Sequence, residues 1–159
     1  MGSRSKLEQS YIAGFLDGDG SLMLQVKKRK DSKAGIRFMA TICFYQDSRH
    51  DKTLAWIRSV LGIGYLSRRN DGMTELRVNG YAQVRDILEG LLPYIRFKRI
   101  QAKALLSACN ILSGKTITTL KKKDMRRLID LLIRIQEENY ATKHKKTKEE
   151  LFRVLGLTP

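Results

Sequence analysis

Two carboxylates, Asp17 and Asp19, sit among glycines in the stretch Tyr11 to Gly20 (YIAGFLDGDG), at the end of a helical pattern. A strand pattern begins at once, from Ser21 to Val26. Acidic groups placed where a helix stops and a strand starts read as a metal-dependent active site. The same segment carries Ala13, Gly14 and Gly18, residues small enough to let a helix approach another backbone closely. Gly14 and Gly18 are four apart and share one helix face. One segment is therefore expected to build both an acidic centre and a seam with a second copy of the chain.

The elements that position these groups follow from periodicity. Ser5 and Glu8 have capping-box spacing and start a helix near Lys6, with Leu7, Tyr11, Ile12, Phe15 and Leu16 as its apolar contacts. Residues 21–29 alternate, with Leu22, Leu24 and Val26 inward and Ser21, Met23, Gln25, Lys27 and Arg29 outward. A basic turn containing Lys30 leads to a second strand over 36–46. There Phe38, Ala40, Ile42 and Phe44 point inward, and Arg37, Met39, Thr41, Cys43 and Tyr45 outward. A helix over 51–61 precedes a second hairpin, 65–69 and 73–79, around Asn70-Asp71-Gly72. In that hairpin Ser67, Arg69, Glu75, Arg77 and Asn79 fall on the outward side. Further helices are expected around 84–91, ended by Pro93, and over 98–112, 121–140 and 147–155. The basic opening Lys121 to Lys123 opposes the helix dipole, which fits a phosphate partner or simple solvation.

Charge supplies the global constraint. The 159 residues include 31 Lys and Arg against 16 Asp and Glu, for a net charge of +15. Such an excess points to a polyanion, because neutralised phosphates release counterions whatever the sequence. Two hairpins in one antiparallel sheet, covered by helices on one face, leave the other face free. Its long polar side chains suit base edges in a major groove, which admits a two-stranded ribbon. A ten-residue strand spans roughly 33 Å, or on the order of ten base pairs, so one chain would read about half of a twenty-base-pair site. Cys43 and Cys109 are each flanked by apolar residues and read as small buried thiols, not a disulfide or metal framework. No apolar run is long enough for a membrane span, and no secretory leader is visible. The chain is expected to be one domain over 1–159, with 1–5 a disordered tail or cloning scar. Its expected setting is intracellular, organellar or prokaryotic.

From Tyr11 to Gly20 the sequence resembles the signature of the LAGLIDADG homing endonucleases. The resemblance extends over about residues 7–113, through Gly62-Ile63-Gly64-Tyr65 and Leu92-Pro93-Tyr94-Ile95-Arg96-Phe97-Lys98. It implies an α+β chain: an αββαββα fold with a saddle-shaped antiparallel sheet and extra C-terminal helices. One motif copy implies a homodimer, with Ala13, Gly14, Asp17 and Gly18 at the interface. That pairing would bring two Asp19 carboxylates together, which is costly unless cations lie between them. The implied activity is Mg²⁺-dependent hydrolysis of double-stranded DNA at a long pseudo-palindromic site, Mn²⁺ or Ca²⁺ being able to occupy the same positions. By this resemblance Asp19 and the Gly18 carbonyl are metal ligands, Gln46 orders water, and Lys98 polarises the water network or the phosphate. The remaining basic position falls on His50, where relatives often carry arginine, and Arg49 stays an alternative. A second reading is a non-cleaving binder on the same fold, an RNA maturase or a transcription regulator. Neither a membrane nor a small-molecule cofactor is implied.

Overall fold

The structure, a computed structural model, describes residues 4–139 and 143–158. Helix α1 (Lys6–Asp19) starts at the Ser5/Glu8 capping box, in which each side chain bonds the other's backbone amide. It ends without a loop. Gly20 caps it through its own N–H to the Leu16 carbonyl, adopts extended backbone, and is the first residue of β1 (Gly20–Lys28). A Cβ at Gly20 would lie 2.8 and 2.9 Å from Leu16 backbone atoms, so this abrupt junction requires a residue without a side chain. Strand β2 (Ile36–Asp47) returns antiparallel and passes through a short turn, Ser48–His50, into α2 (Lys52–Leu61). Strands β3 (Tyr65–Arg68) and β4 (Met73–Asn79) follow, then α3 (Tyr81–Leu91), a turn at Leu92–Tyr94 and α4 (Arg99–Leu112). Helices α5 (Lys122–Glu138) and α6 (Lys148–Val154) complete the chain.

All four strands form one antiparallel sheet in the order β1-β2-β4-β3. Its register sets two kinds of row. Gly20, Phe44, Leu76 and Leu66 align across the sheet, as do Leu22, Ile42 and Val78; these rows face the helices. Their buried side chains pack against Ile12 and Leu16 of α1, Val84 and Leu88 of α3, Leu105 of α4 and Leu132 of α5. Rows on the other face run Ser21, Cys43, Arg77 and Tyr65; then Met23, Thr41 and Asn79; and, at the other end, Lys27 with Arg37. Strand β1 is an edge. Its Leu22 carbonyl accepts from Asn139 Nδ2 at 2.9 Å and its Val26 carbonyl from Lys146 Nζ at 3.4 Å, so the segment linking α5 to α6 satisfies part of that edge.

Several expectations change. Leu7 and Tyr11, assigned to α1's buried contacts, are 84% and 54% exposed, because they lie on the helix face turned away from the sheet. Thr41 and Cys43 lie on the outward rows, yet both are fully buried, which agrees with Cys43 as a buried thiol and removes both side chains from the expected groove contacts. Neighbouring side chains close over them: the Thr41 hydroxyl donates to Asn79 Oδ1 at 2.7 Å, and Tyr45 and Arg77 crowd Cys43. Lys98 stands just before α4, which begins at Arg99. The basic opening of α5 is offset within its first turn by Asp124, which pairs with Lys115 at 3.6 Å. Of the expected tail, Ser5 caps α1 and Arg4 Nη2 donates to the Leu61 carbonyl, while residues 1–3 lie outside the described residues. Tyr140, where the long helix was expected to end, also lies outside them. Among the described residues no helix is long and apolar enough to cross a membrane.

Candidate active site and nucleic-acid interface

The last turn of α1 turns its two carboxylates in different directions. Asp17 is buried and accepts from the backbone N–H of Arg96 at 2.7 Å and of Lys98 at 3.0 Å. This pins the segment before α4 to the end of α1 across some 80 residues of chain. Asp19, one residue short of β1, is exposed. The Lys98 ammonium donates to the Asp17 carbonyl, one of the last helix carbonyls, which lack a helical amide. Burial pushes the Lys98 pKa down, opposed by the charges of Asp17 and Asp19. The ammonium therefore sits in the field of both acids with its proton loosened.

Gln46 reaches the same end of the sheet. Since Gly20 pairs with Phe44, a residue two places further along β2 lies beside the α1–β1 junction. Its Oε1 accepts the Asp47 N–H at 2.8 Å. In the following turn Arg49 grips Asp47, with Nη2 at 2.8 Å and Nε at 3.0 Å. The Arg49 guanidinium and backbone N–H hold the Asp47 carboxyl far below the usual range. His50, at the end of the turn, is exposed. Of the two basic candidates, Arg49 is thus engaged by Asp47 and His50 faces solvent. Asp17, Asp19 and Lys98 are drawn together, with Gln46 along the same sheet end.

The donor set suits a divalent cation of the Mg²⁺ type: an exposed carboxylate at Asp19 and, in the same helical turn, the Gly18 carbonyl, both hard oxygens. Among the described residues no three acidic, histidine or cysteine side chains cluster as a complete cage. Asp19 is therefore not part of a three-side-chain cage of acidic, histidine or cysteine groups among the described residues.

Helix α1 shows a continuous exposed stripe: Leu7, Tyr11, Gly14 and Gly18. Tyr11 packs edge-on against Trp56 of α2, ring centroids 5.3 Å apart, and both side chains line a groove with Leu7 and Lys52. A Cβ at Gly14 or Gly18 would meet nothing within 4 Å in this chain. Ala13 and Asp17, expected in the seam, belong elsewhere: Ala13 is in the core and Asp17 is turned to residues 96–98. Helical phase explains the correction, since 13 and 17 lie roughly 90–130° around the helix from the centre of the stripe formed by 7, 11, 14 and 18.

On the outer sheet face Lys27, Arg29, Lys30, Arg37, Arg69 and Asn79 are exposed, and Ser21, Met23, Gln25, Met39, Ser67, Glu75 and Arg77 are half-buried. Arg29 pairs with Asp31 at 2.7 Å, Arg69 with Asp71 at 2.9 Å and Arg77 with Glu75 at 3.3 Å. Lys27, Lys30 and Arg37 have no ion pair among the described residues. Two tyrosines share this face. Tyr45 is outward by the alternation of β2, as expected; Tyr65, assigned to neither face by the sequence pattern, needed the register of β3, which four residues cannot fix alone. Arg29, Arg37, Tyr81, Lys115 and Thr116 also surround a cavity of about 570 Å³ between the hairpin tip and the loop after α4.

Comparison with known proteins bears on this arrangement. The family model described as "LAGLIDADG endonuclease" matches residues 12–107. DNA endonuclease I-CvuI of Chlorella vulgaris is 36% identical over 101 residues, covering 64% of this chain and 63% of that protein. DNA endonuclease I-CreI of Chlamydomonas reinhardtii is 27% identical over 96 residues, 60% of this chain and 58% of that protein. The aligned segments thus span less than two thirds of either curated relative. A crystal structure of I-CvuI bound to its DNA target superposes with a TM-score of 0.80 at 28% identity, covering 97% of this chain and 98% of that one. The archaeal intron-encoded homing endonuclease I-Vdi141I, solved with DNA, superposes at 0.79 and 19% identity, over 94% and 95% of the two chains, and shares the fold. The motif, the αββαββα order and the matched family model agree: the chain belongs to the LAGLIDADG endonuclease family.

Proposed function

We propose that this chain is a site-specific double-strand DNA endonuclease that acts as a homodimer and hydrolyses phosphodiesters with a divalent metal. The observation that carries the reading is the placement of Asp19 and Lys98 at one end of a sheet whose open face is polar and basic. The relatives named DNA endonucleases, and the structures of I-CvuI with DNA, support the DNA partner. The Mg structure, on the I-CreI target, holds uncleaved DNA, so the metal dependence rests on the hard oxygen donors at Asp19 and Gly18. In the dimer the α1 stripe of Leu7, Tyr11, Gly14 and Gly18 packs against its own copy. Each sheet then takes one half of the target in the major groove, and the two Asp19 carboxylates meet at the centre.

A cation held by Asp19 and the Gly18 carbonyl would supply water activation and stabilise both the attacking and leaving oxygens. The chain's own groups do the rest. Asp17 fixes the 96–98 segment, so the Lys98 ammonium is presented beside Asp19 without searching rotamers in open solvent. There it can donate a proton or hold phosphate charge. The Gln46 side chain orders water at the strand end, and His50 offers a second basic group at the rim. The polar face, from Lys27 and Arg37 inward to Ser21 and Arg77, holds the duplex in register.

Cleavage of a randomised duplex library in Mg²⁺, wild type against Asp19→Asn, tests the reading. Wild type should cut a defined site, and the variant should bind that site while cutting at least about 100-fold more slowly. Selective binding without any cleavage by wild type would replace the enzyme by a non-cleaving nucleic-acid binder on the same fold.

A further inference from the structure

We infer that Tyr45 is a specificity-determining residue, forming with Ser21 a hydroxyl pair that reads the base pairs beside the cleavage point; this rests on the DNA-cleaving function above. The two hydroxyl oxygens lie 3.1 Å apart and either can donate. Their places in the chain give the pair its meaning. Ser21 is two residues beyond Asp19, and Tyr45 immediately precedes Gln46. The contact therefore joins β1 and β2 where the candidate active-site groups leave the two strands.

Both side chains belong to the outer face, since Ser21 pairs with Cys43 and Tyr45 with Glu75 in the sheet register. Tyr45 is half-buried there and interacts with the Cys43 thiol. That ring cover helps explain why Cys43, outward by register, is fully buried. Tyr45 thus occupies the position from which Cys43 would otherwise meet a groove. The neighbouring Glu75–Arg77 ion pair, at 3.3 Å, continues the polar patch onto β4. Burial raises the phenol pKa, so the hydroxyl keeps its proton at neutral pH and remains a donor.

A protonated phenol suits the acceptors that purine N7, guanine O6 and thymine O4 present in the major groove. On docking, Tyr45 can turn its donated proton to a base edge while still accepting from Ser21, so neither hydroxyl is stranded. Position along the strand says which bases. Arg37 is eight residues away in β2, about 26 Å, or on the order of eight base pairs. Arg37 therefore lies over the outer part of a half-site and Tyr45 over its innermost part.

Wild type, Tyr45→Phe, Ser21→Ala and the double variant are each profiled on a duplex library randomised position by position, by binding without added metal and by cleavage in Mg²⁺. Tyr45→Phe removes one oxygen and keeps the ring; thermal melting confirms that it folds. Each single variant should relax preference about tenfold at the same one or two innermost base pairs, leaving outer positions unchanged. The double variant should be no worse than the stronger single one, because both remove one shared contact. A uniform loss at every position, or an unchanged profile from a wild type that cleaves, overturns this inference alone. Relaxation by Tyr45→Phe in binding at the innermost base pairs, with no cleavage by wild type, upholds the base contact and overturns the endonuclease.

Discussion

Substituting Gly14 by alanine has opposite signs in the single chain and in the proposed dimer. Gly14 lies in the middle of α1, exposed, and a Cβ there has no atom within 4 Å. In an isolated helix interior alanine is favoured over glycine by about 1 kcal/mol, so the monomer should be stabilised by that amount. For a domain of this size that raises the melting temperature by about 2–4 °C. In the dimer the same Cβ enters the seam from both copies. Overpacking of a tight contact costs about 1–3 kcal/mol each time, so two symmetric insertions weaken association by about 2–6 kcal/mol. At about 1.4 kcal/mol per factor of ten, the dissociation constant should rise by at least about 20-fold. Sedimentation across a dilution series gives the association, and chemical denaturation below the dissociation constant gives the monomer's stability. Unchanged association would refute the seam along Leu7, Tyr11, Gly14 and Gly18. A destabilised monomer would refute the claim that position 14 is empty within the chain.

Two further substitutions test the groups around Lys98 and Gln46. Asp17→Asn replaces one carboxylate oxygen by an NH₂ that cannot accept from the Arg96 or Lys98 amide. The orphaned amide should cost about 1–3 kcal/mol, read by thermal melting, and amide exchange at residues 96 and 98 should quicken; unchanged exchange contradicts the pinning role. For Asp47 the sign follows from a folded-state pKa below its ordinary 3.8, set first by the Arg49 guanidinium. The unfolded chain takes up that proton more readily, so the stabilisation is present above about pH 4 and is lost as pH falls below it. The gap between wild type and Asp47→Asn in urea midpoints should therefore narrow steadily as pH falls from 5 to about 2.5, without vanishing in that window, and a constant gap would reject the linkage.

Much of this architecture is legible from local pattern. Alternation in 21–29 and 36–46 has only one core-facing reading, and Leu22, Leu24, Val26, Phe38, Ala40, Ile42 and Phe44 are all buried. The Ser5 and Thr147 capping boxes mark their helix starts because each is completed within four residues. What escaped depends on partners distant in sequence. Asp17 is drawn inward by amides about 80 residues away, a contact no local pattern encodes. Leu7 and Tyr11 look like core residues by composition, and only the packing of α1 on the sheet shows which face holds them. Thr41 and Cys43 obey the alternation and still lose contact with solvent, since Asn79, Tyr45 and Arg77 reach over them from neighbouring positions.

The two faces of the sheet divide inheritance as well as chemistry. Side chains in the inward rows are bound to one another by volume, so drift in any of them is answered by its neighbours. Lys27, Arg37 and Arg69 touch none of that volume, and exposed substitutions usually alter stability by no more than about 0.5 kcal/mol. A lineage of such proteins can therefore wander across the open rows, trying new contacts one residue at a time while the scaffold beneath is unaware of the experiment. That freedom narrows where the rows are roofed. At Thr41, Cys43 and Tyr45 a change of contact is also a change of packing, and sites read from that end should diverge more slowly than sites read from the hairpin tip.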